Sequence, residues 1–447
     1  MLIAGWGAYL WLARQRLEQG IPWEDSYHHW LISAHWWETG QYVDPLTHNL
    51  RSWLPLYHLF SAAILGLTGI YNLQALEIFS ILLTGCTGLI LWRQGGVVPA
   101  LLWWLNPITV LTGSLPVTEP LAVFYQTLGL ALHRKPKLAA LALSLALLSD
   151  RGTWPIIVFY SVYRAIQKKR AYIFPLVVLV ILWLWQQNIG SLDQTHQWAA
   201  IDQAGQGDFN QRIMELWYYT WKPLTIPLVF ASFGLLLATI QKRLSVTAGI
   251  YFLLSLSYVG LILWLVGTGR LTGSSRYYLN LLPLLLMAGS AGSSSLSLRF
   301  RDFLWGLTIP LLWGWNQSYL SLLPKWVVLN RPSILAGVWL SQHASQTKDT
   351  DLITDSPLVS YYSHWPPSHI FGGNHDLTQN TAWVVVVGDQ RYQAVYPLLR
   401  RLPELSSQGW QQVYVAKHWT LDYGAKPARI FYRKVLLQPF RAKGHNP

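Results

Sequence analysis

Glu24 and Asp25 are adjacent carboxylates in the first polar stretch of a mostly apolar chain, and Tyr27, His28 and His29 follow at once. A carboxylate placed beside an acceptor hydroxyl can act as a general base, taking the proton as the oxygen attacks an activated carbon. The same pair also suits a plainer task, because acids at a helix start stabilise it by several tenths of a kcal/mol. Charge recurs at the ends of apolar runs: Glu119 in Thr118-Glu119-Pro120, Asp150-Arg151 ahead of Gly152-Thr153-Trp154-Pro155, and Arg276 in Ser274-Ser275-Arg276-Tyr277-Tyr278. Each is costly there unless it has a partner or a task. Glu119 reads as a helix-start acid or as a group that tunes a neighbouring base. Asp150 and Arg151 read as a local ion pair or as part of the same polar site. Arg276 can snorkel to a membrane surface, or it can hold a lipid phosphate with the hydroxyls beside it. Arg270 is a weaker version of that idea. His28, His29, His35, His48 and His58 suit phosphate or sugar contact, or interfacial structure; their spacing is poor for zinc, and no metal or other cofactor is expected.

The elements that must hold these groups are membrane helices. Only 12% of the 447 residues are charged while 52% are hydrophobic, about half the charge of an ordinary soluble chain. Apolar runs continue to about residue 322, and the remainder has ordinary charge density. The expected architecture is an all-α polytopic membrane domain over 1–322 and a small soluble α/β domain over 323–447. The lone Cys86 lies in an apolar run and reads as a small buried hydrophobe. The first run is short for a crossing and lacks the features of a cleaved signal, so it is expected to be a first membrane helix.

The net charge of +13 is spread over clusters between apolar runs: Arg93; Arg134, Lys135 and Lys137; Arg164 and Lys168 to Arg170; Lys242 and Arg243; Arg299 and Arg301. That pattern marks cytoplasmic loops and anionic membrane lipids as partners, with no nucleic acid. All five clusters fall inside if 53–70 dips into the outer face without crossing. About 11 spans then follow: 2–13, 74–92, 97–112, 118–132, 138–150, 153–166, 171–187, 223–240, 246–266, 277–290 and 303–322. Glu24, Asp25, Glu119, Asp150, Arg151, Arg270 and Arg276 all land on the outer side. Tyr27, Trp30, Leu31, Ala34 and Trp37 recur at helical spacing before Gly40, predicting an interfacial helix with Asp25 at its start. Loop 188–222, with Asp193, His196, Asp202, Asp208 and Arg212, is long enough to cover a site.

No glycine-rich phosphate loop is present. A lipid-linked activated substrate fits an outer-face reaction better than a nucleotide sugar. At this point the chain resembles the GT-C glycosyltransferases, polytopic enzymes that take sugars from polyprenyl-phosphate carriers, dolichyl-phosphate-mannose mannosyltransferases among them. Trp23-Glu24-Asp25-Ser26-Tyr27 resembles the family's first-loop acidic motif, and Arg51-Ser52-Trp53-Leu54-Pro55-Leu56-Tyr57 the aromatic-proline stretch that closes that loop. Asn106-Pro107 through Glu119-Pro120 resembles the second outer loop. Ser149 to Pro155 resembles the family's Arg-x-Glu-Gly stretch, with Gly152 and Thr153 after Arg151 where an acid is expected. Arg276-Tyr277-Tyr278-Leu279 resembles the Arg-Tyr that enters a late span.

The resemblance implies a multi-pass enzyme of a bacterial plasma membrane, with its active site on the extracytoplasmic side. It implies transfer of one sugar, with inversion, from a polyprenyl-phosphate donor to a lipid, glycan or protein hydroxyl. Asp25 would be the base, Glu24 or Glu119 would tune it, and Arg276, Arg151 and His28 would hold the donor phosphate. The rivals are a transporter or lipid flippase, which calls for internal repeats and midplane charges, and a scaffold presenting the soluble tail. In that tail, 351–354, 382–387, 412–416 and 430–435 predict strands, and 357–363 and 392–401 predict helices.

Overall fold

The structure, a computed structural model, describes residues 1–47, 54–188, 209–243, 245–268, 274–293, 298–324, 327, 330–378, 380–387, 397–416 and 428–433. Its helical part runs α1 (Leu2–Glu18), α2 (Glu24–Thr39), α3 (Pro55–Thr68), α4 (Leu73–Gly95), α5 (Val97–Trp104), α6 (Pro107–Thr112) and α7 (Glu119–Ala131). It continues through α8 (Pro136–Leu147), α9 (Trp154–Ile166), α10 (Ile173–Asn188), α11 (Phe209–Ile240), α12 (Val246–Gly267), α13 (Leu282–Ser293) and α14 (Leu298–Leu320). Among the described residues, three helical stretches are long and apolar enough to cross a membrane: α4, Pro223–Ile240 of α11, and α12, with mean hydropathies of 1.8, 2.0 and 2.1. Helices α7 to α9, at 12 or 13 residues, each reach about 20 Å, short of a hydrocarbon core of about 30 Å.

Several sequence expectations are corrected. The run 97–112 is two helices rather than one span. Pro107 opens α6, and the Asn106 side chain caps it by accepting from the Ile108 N–H at 2.9 Å, the preferred chemistry of a helix start. The loop 188–222 contains helix from Phe209 onward, and α11 runs straight through Pro223 and Pro227. Pro227 has no N–H for the carbonyl of residue 223. That orphaned carbonyl is met instead by the Asn106 amide at 2.7 Å, with Asn316 donating to the Leu105 carbonyl at 2.7 Å nearby. Cys86 is exposed on the outer surface of α4, beside the equally exposed Leu82 and Leu89. Helix α2 ends at Gly40 as expected, in a left-handed conformation (φ 71°) that glycine adopts without strain. It is not, however, a helix with one wet face. Trp37 is exposed while Ser26, His29, Ile32, Ser33 and His35 are buried, because other elements cover both sides of α2.

Helices α11 and α13 pack with their backbones touching: a side chain on Gly234 would collide with the Gly289 carbonyl, the close approach that small residues permit between membrane helices. Three of the turns bearing basic clusters gather away from Glu119. Gln94 reaches the Ala131 carbonyl at 3.5 Å and Arg164 donates to the His133 carbonyl at 3.0 Å, joining the far ends of α4, α7 and α9.

The C-terminal part contains α15 (Arg331–His343), α16 (Pro357–Ser363) and α17 (Pro397–Ser407) around a five-stranded sheet. The strands are β1 (Asp351–Thr354), β2 (Ile370–Phe371), β3 (Thr381–Val387), β4 (Trp410–Ala416) and β5 (Ala428–Arg433), in the order β2-β1-β3-β5-β4. β1 is parallel to β2 and β3, while β5 is antiparallel to β3 and β4. β1 and α16 have the bounds expected from sequence. The predicted helix over 392–401 is observed from Pro397, and 392–396 and 434–435 lie outside the described residues. Alternation splits the buried strands between two cores. Ile353, Val384 and Val386 face α17. Leu352, Val385 and Val387 join a core that also holds Tyr27, Trp30 and Leu31 of α2.

A buried ion pair ties α1 to the rest. Arg16, fully buried, meets Glu77 of α4 at 2.6 Å and Ser114 Oγ at 2.8 Å, and also reaches the Ser114 carbonyl. Glu77→Ala should cost about 3–5 kcal/mol by leaving a guanidinium buried without its counter-charge, measured as a lowered melting temperature of the purified protein. Arg16→Met combined with Glu77→Leu should recover most of that loss. A double variant as unstable as Glu77→Ala would show that the stranded charge is not the cause.

Candidate active site

Three helical segments begin at one place. Asp25 lies in the first turn of α2, Glu119 in the first turn of α7, and Arg276 in a 3-10 turn over Ser275–Asn280. Each start has a local reason. Glu24-Asp25 and Glu119 sit where the positive ends of α2 and α7 favour carboxylates. Pro120 follows Glu119 in the first turn of α7, where its missing N–H costs nothing. The Ser274 hydroxyl accepts from the Arg276 N–H at 3.4 Å.

Arg276 joins them. Its Nη1 donates to Asp25 Oδ2, its Nε lies 3.3 Å from Glu119 Oε1, and its guanidinium stands 5.5 Å from the Tyr277 ring centre. Side-chain exposure differs in a telling way: 30% for Asp25, 22% for Arg276 and 5% for Glu119. Asp25 is therefore the most open member of the trio and Glu119 the most enclosed. Burial pushes the Asp25 carboxyl up, but the Arg276 guanidinium outweighs it, with His28 adding to the effect, and the pKa comes to about 2.

Around this trio stands a second layer. His28 Nε2 is 2.9 Å from Asp44 Oδ1, and Asp44 also accepts from Thr47 and from the Leu46 N–H at 3.0 Å. Burial lowers the His28 imidazole, but Asp44 raises it more, so it titrates above its ordinary value. His29 and His58 sit 3.0 Å apart, and burial holds both below theirs, so this pair is neutral. Thr118 lies between Asp150 at 2.7 Å and Glu119 at 3.4 Å. A hydroxyl has one proton, and the shorter contact takes it. Asp150 also accepts from the Gly152 N–H at 2.6 Å.

The sequence-predicted residues thus divide. Asp25, Glu119 and Arg276 meet, with His28 beside them. Glu24 turns away, accepting from Ser356 of the C-terminal part at 3.0 Å. Arg151 is exposed, its guanidinium 5.9 Å from the Trp154 ring centre. His35 lies 3.1 Å from the Pro367 carbonyl, and Arg212 reaches the Gly267 carbonyl at 3.5 Å. His48, Arg51 to Trp53, Asp193, His196, Asp202, Asp208 and Arg270 lie outside the described residues. Two residues escaped sequence reasoning. Asp44 had a weak signal, as an Asp-Pro turn, but nothing tied it to His28; Ser356 had none. Among the described residues, no three His, Cys, Asp or Glu side chains gather as a metal ion requires.

Beside the trio, a groove of about 350 Å³ opens between α9 and α12, walled by Ile156, Phe159, Leu254, Leu261 and Trp264. Tyr258 also lines it, and its hydroxyl donates to the carbonyl of Tyr277, the neighbour of Arg276, at 3.1 Å. The arrangement offers a partly open carboxylate bonded to a cation, a second carboxylate enclosed behind it, and an apolar groove between two nearby helices.

No protein-family profile matches this chain, and no curated protein does. Two solved structures share its fold. ArnT from Cupriavidus metallidurans bound to undecaprenyl phosphate is 13% identical with a TM-score of 0.56, over 96% of this chain and 97% of that one. ArnT from the same organism in the apo state is 14% identical with a TM-score of 0.52, over 91% and 93%. The chain has the fold of ArnT.

Proposed function

We propose that this chain is an integral membrane glycosyltransferase that moves one sugar, with inversion, from a polyprenyl-phosphate donor to an acceptor hydroxyl at the extracytoplasmic face. The observation that carries the reading is the meeting of Asp25, Glu119 and Arg276. Transfer at an anomeric carbon needs a base on the attacking side and a positive charge on the departing phosphate. Asp25 is ionised and open. It takes the acceptor proton as the acceptor oxygen bonds to the anomeric carbon, and the bond from that carbon to phosphate oxygen breaks with its electron pair leaving on phosphate. Arg276 receives that charge, assisted by the His28 imidazolium, and Glu119 keeps Arg276 aimed.

The groove between α9 and α12 suits an isoprenoid tail, since it is apolar and one of its lining residues, Tyr258, is hydrogen-bonded to the carbonyl next to Arg276. A protein of this fold has been crystallised with undecaprenyl phosphate, which supports that donor class. The outer-face assignment rests on the basic turns gathered at the far helix ends. In this reading, 1–322 is the catalytic membrane domain and 323–447 the outer-face module.

Purified protein incubated with labelled polyprenyl-phosphate sugars should transfer or hydrolyse at least one of them; inertness across a broad panel would sink the proposal. Asp25→Asn should lower turnover by about 10²–10⁴-fold in a folded protein, and a variant with near-normal turnover would reject the base. Because Arg276 holds the Asp25 pKa near 2, kcat/KM should show no acid limb from Asp25 until the pH falls well below 4. Arg276→Ala removes that stabilisation, so the acid limb should move to higher pH while the donor KM rises; an unmoved profile would uncouple the two groups. Asp44 raises the His28 pKa. Asp44→Asn should therefore lower the His28 pKa and raise the donor KM at neutral pH more than at pH 5. Equal change at both would remove His28 from donor binding.

A further inference from the structure

The C-terminal module grips α2 along its whole length, and α2 carries Asp25. At the first turn Ser356 Oγ donates to Glu24 Oε1 at 3.0 Å. One turn on, the Tyr27 and Tyr362 hydroxyls are 3.1 Å apart, and the Tyr361 ring stands edge-on to both Tyr27 and Trp30 at 5.3 and 5.0 Å. At the far end the Ser368 N–H donates to Glu38 at 2.9 Å. Beneath these polar ties, Trp30 and Leu31 share one apolar core with Leu358, Val359 and Trp365.

Ser356 makes the strongest case. It stands at the N-cap of α16, where a serine hydroxyl ordinarily accepts from its own helix, yet it makes no capping bond there. Its hydroxyl reaches across to Glu24 instead. The consequence is electrostatic. Glu24 and Asp25 are neighbours, and Arg276 already faces two carboxylates, Asp25 and Glu119. A third one drawn to the same guanidinium would displace Asp25 or crowd like charges together.

We infer that the C-terminal module is a positioning element for the reaction: Ser356 and Tyr362 hold the first turns of α2 so that Glu24 is drawn to the module and Asp25 alone of the pair faces Arg276. The inference rests on Asp25 being the base, and it assigns the module a task that neither acceptor binding nor shielding would require. Ser356 and Tyr362 are positioning residues, since they act through α2 and not on the substrate.

The test uses the full-length protein in lipid nanodiscs, with Ser356→Ala, Tyr362→Phe and the double variant, each of which removes only a hydroxyl. Amide hydrogen exchange across residues 24–31 should speed up about ten-fold in the double variant, with exchange in α4 and α7 unchanged. With labelled polyprenyl-phosphate sugars, kcat should fall about ten-fold or more, with the donor KM within two-fold, because the phosphate site is untouched. A general loss of stability would instead raise exchange everywhere and leave the kcat of the folded fraction alone; that result overturns the inference. Unchanged exchange at 24–31 overturns it as well, and so does faster exchange with unchanged kcat. If wild-type protein transfers no sugar, the catalytic reading fails separately, and the exchange measurement alone upholds or rejects the tether.

Discussion

The bond between Arg276 and two carboxylates closes this molecule. Asp25 and Arg276 are 251 positions apart in the chain, and Glu119 comes from a third segment. One guanidinium fixes three helix starts at a single point. An arginine suits the task because its planar fork offers several donors in fixed directions, so it can serve Asp25 through one nitrogen and Glu119 through another. Removing water from three charges is costly, and their attraction offsets that cost only when the geometry is good. The cluster is consequently a poor device for stability and a good one for specifying where the helix ends must meet. On the proposed reading it also makes the site responsive, because a phosphate entering beside Arg276 would compete with carboxylates already in place.

Helix α2 belongs to both halves of the molecule. On one side it presents Asp25, His28 and His29 to the trio, and on the other it lends Tyr27, Trp30 and Leu31 to the core of the module. The strand alternation that puts Leu352, Val385 and Val387 on the α2 side therefore reaches the chemistry through packing. The groove between α9 and α12 is tied to the same region by the hydrogen bond from Tyr258 to the Tyr277 carbonyl. On the proposed reading, an amphipathic donor would span these environments, with its tail in the groove and its phosphate at Arg276.

Much of this was legible in the sequence where local chemistry decides structure. β1 and α16 have their expected limits because a short Leu-Ile-Thr run and the Ser-Pro helix start after it leave little choice. Charge at the ends of apolar runs singled out Asp25, Glu119 and Arg276, since such charges rarely survive without a purpose. What stayed hidden depends on distant partners. Pro223 and Pro227 argue against a continuous helix, and α11 survives them because Asn106, over a hundred positions earlier, fills a carbonyl that Pro227 leaves open. The Asn106-Pro107 signal for a helix start was present but was submerged in an apolar run. Glu24 looked like half of a catalytic pair until Ser356 drew it aside. Arg16 and Glu77 gave no local hint of their pairing.

The most direct measurement is an experimental structure of the protein with a non-hydrolysable polyprenyl-phosphate sugar analogue in lipid nanodiscs. The phosphate oxygens should lie within hydrogen-bonding reach of the Arg276 guanidinium, the tail between α9 and α12, and the Asp25 carboxylate on the side of the anomeric carbon opposite the phosphate. An analogue bound elsewhere, with the bond from Arg276 to Asp25 intact and no phosphate near it, would contradict the account at its centre.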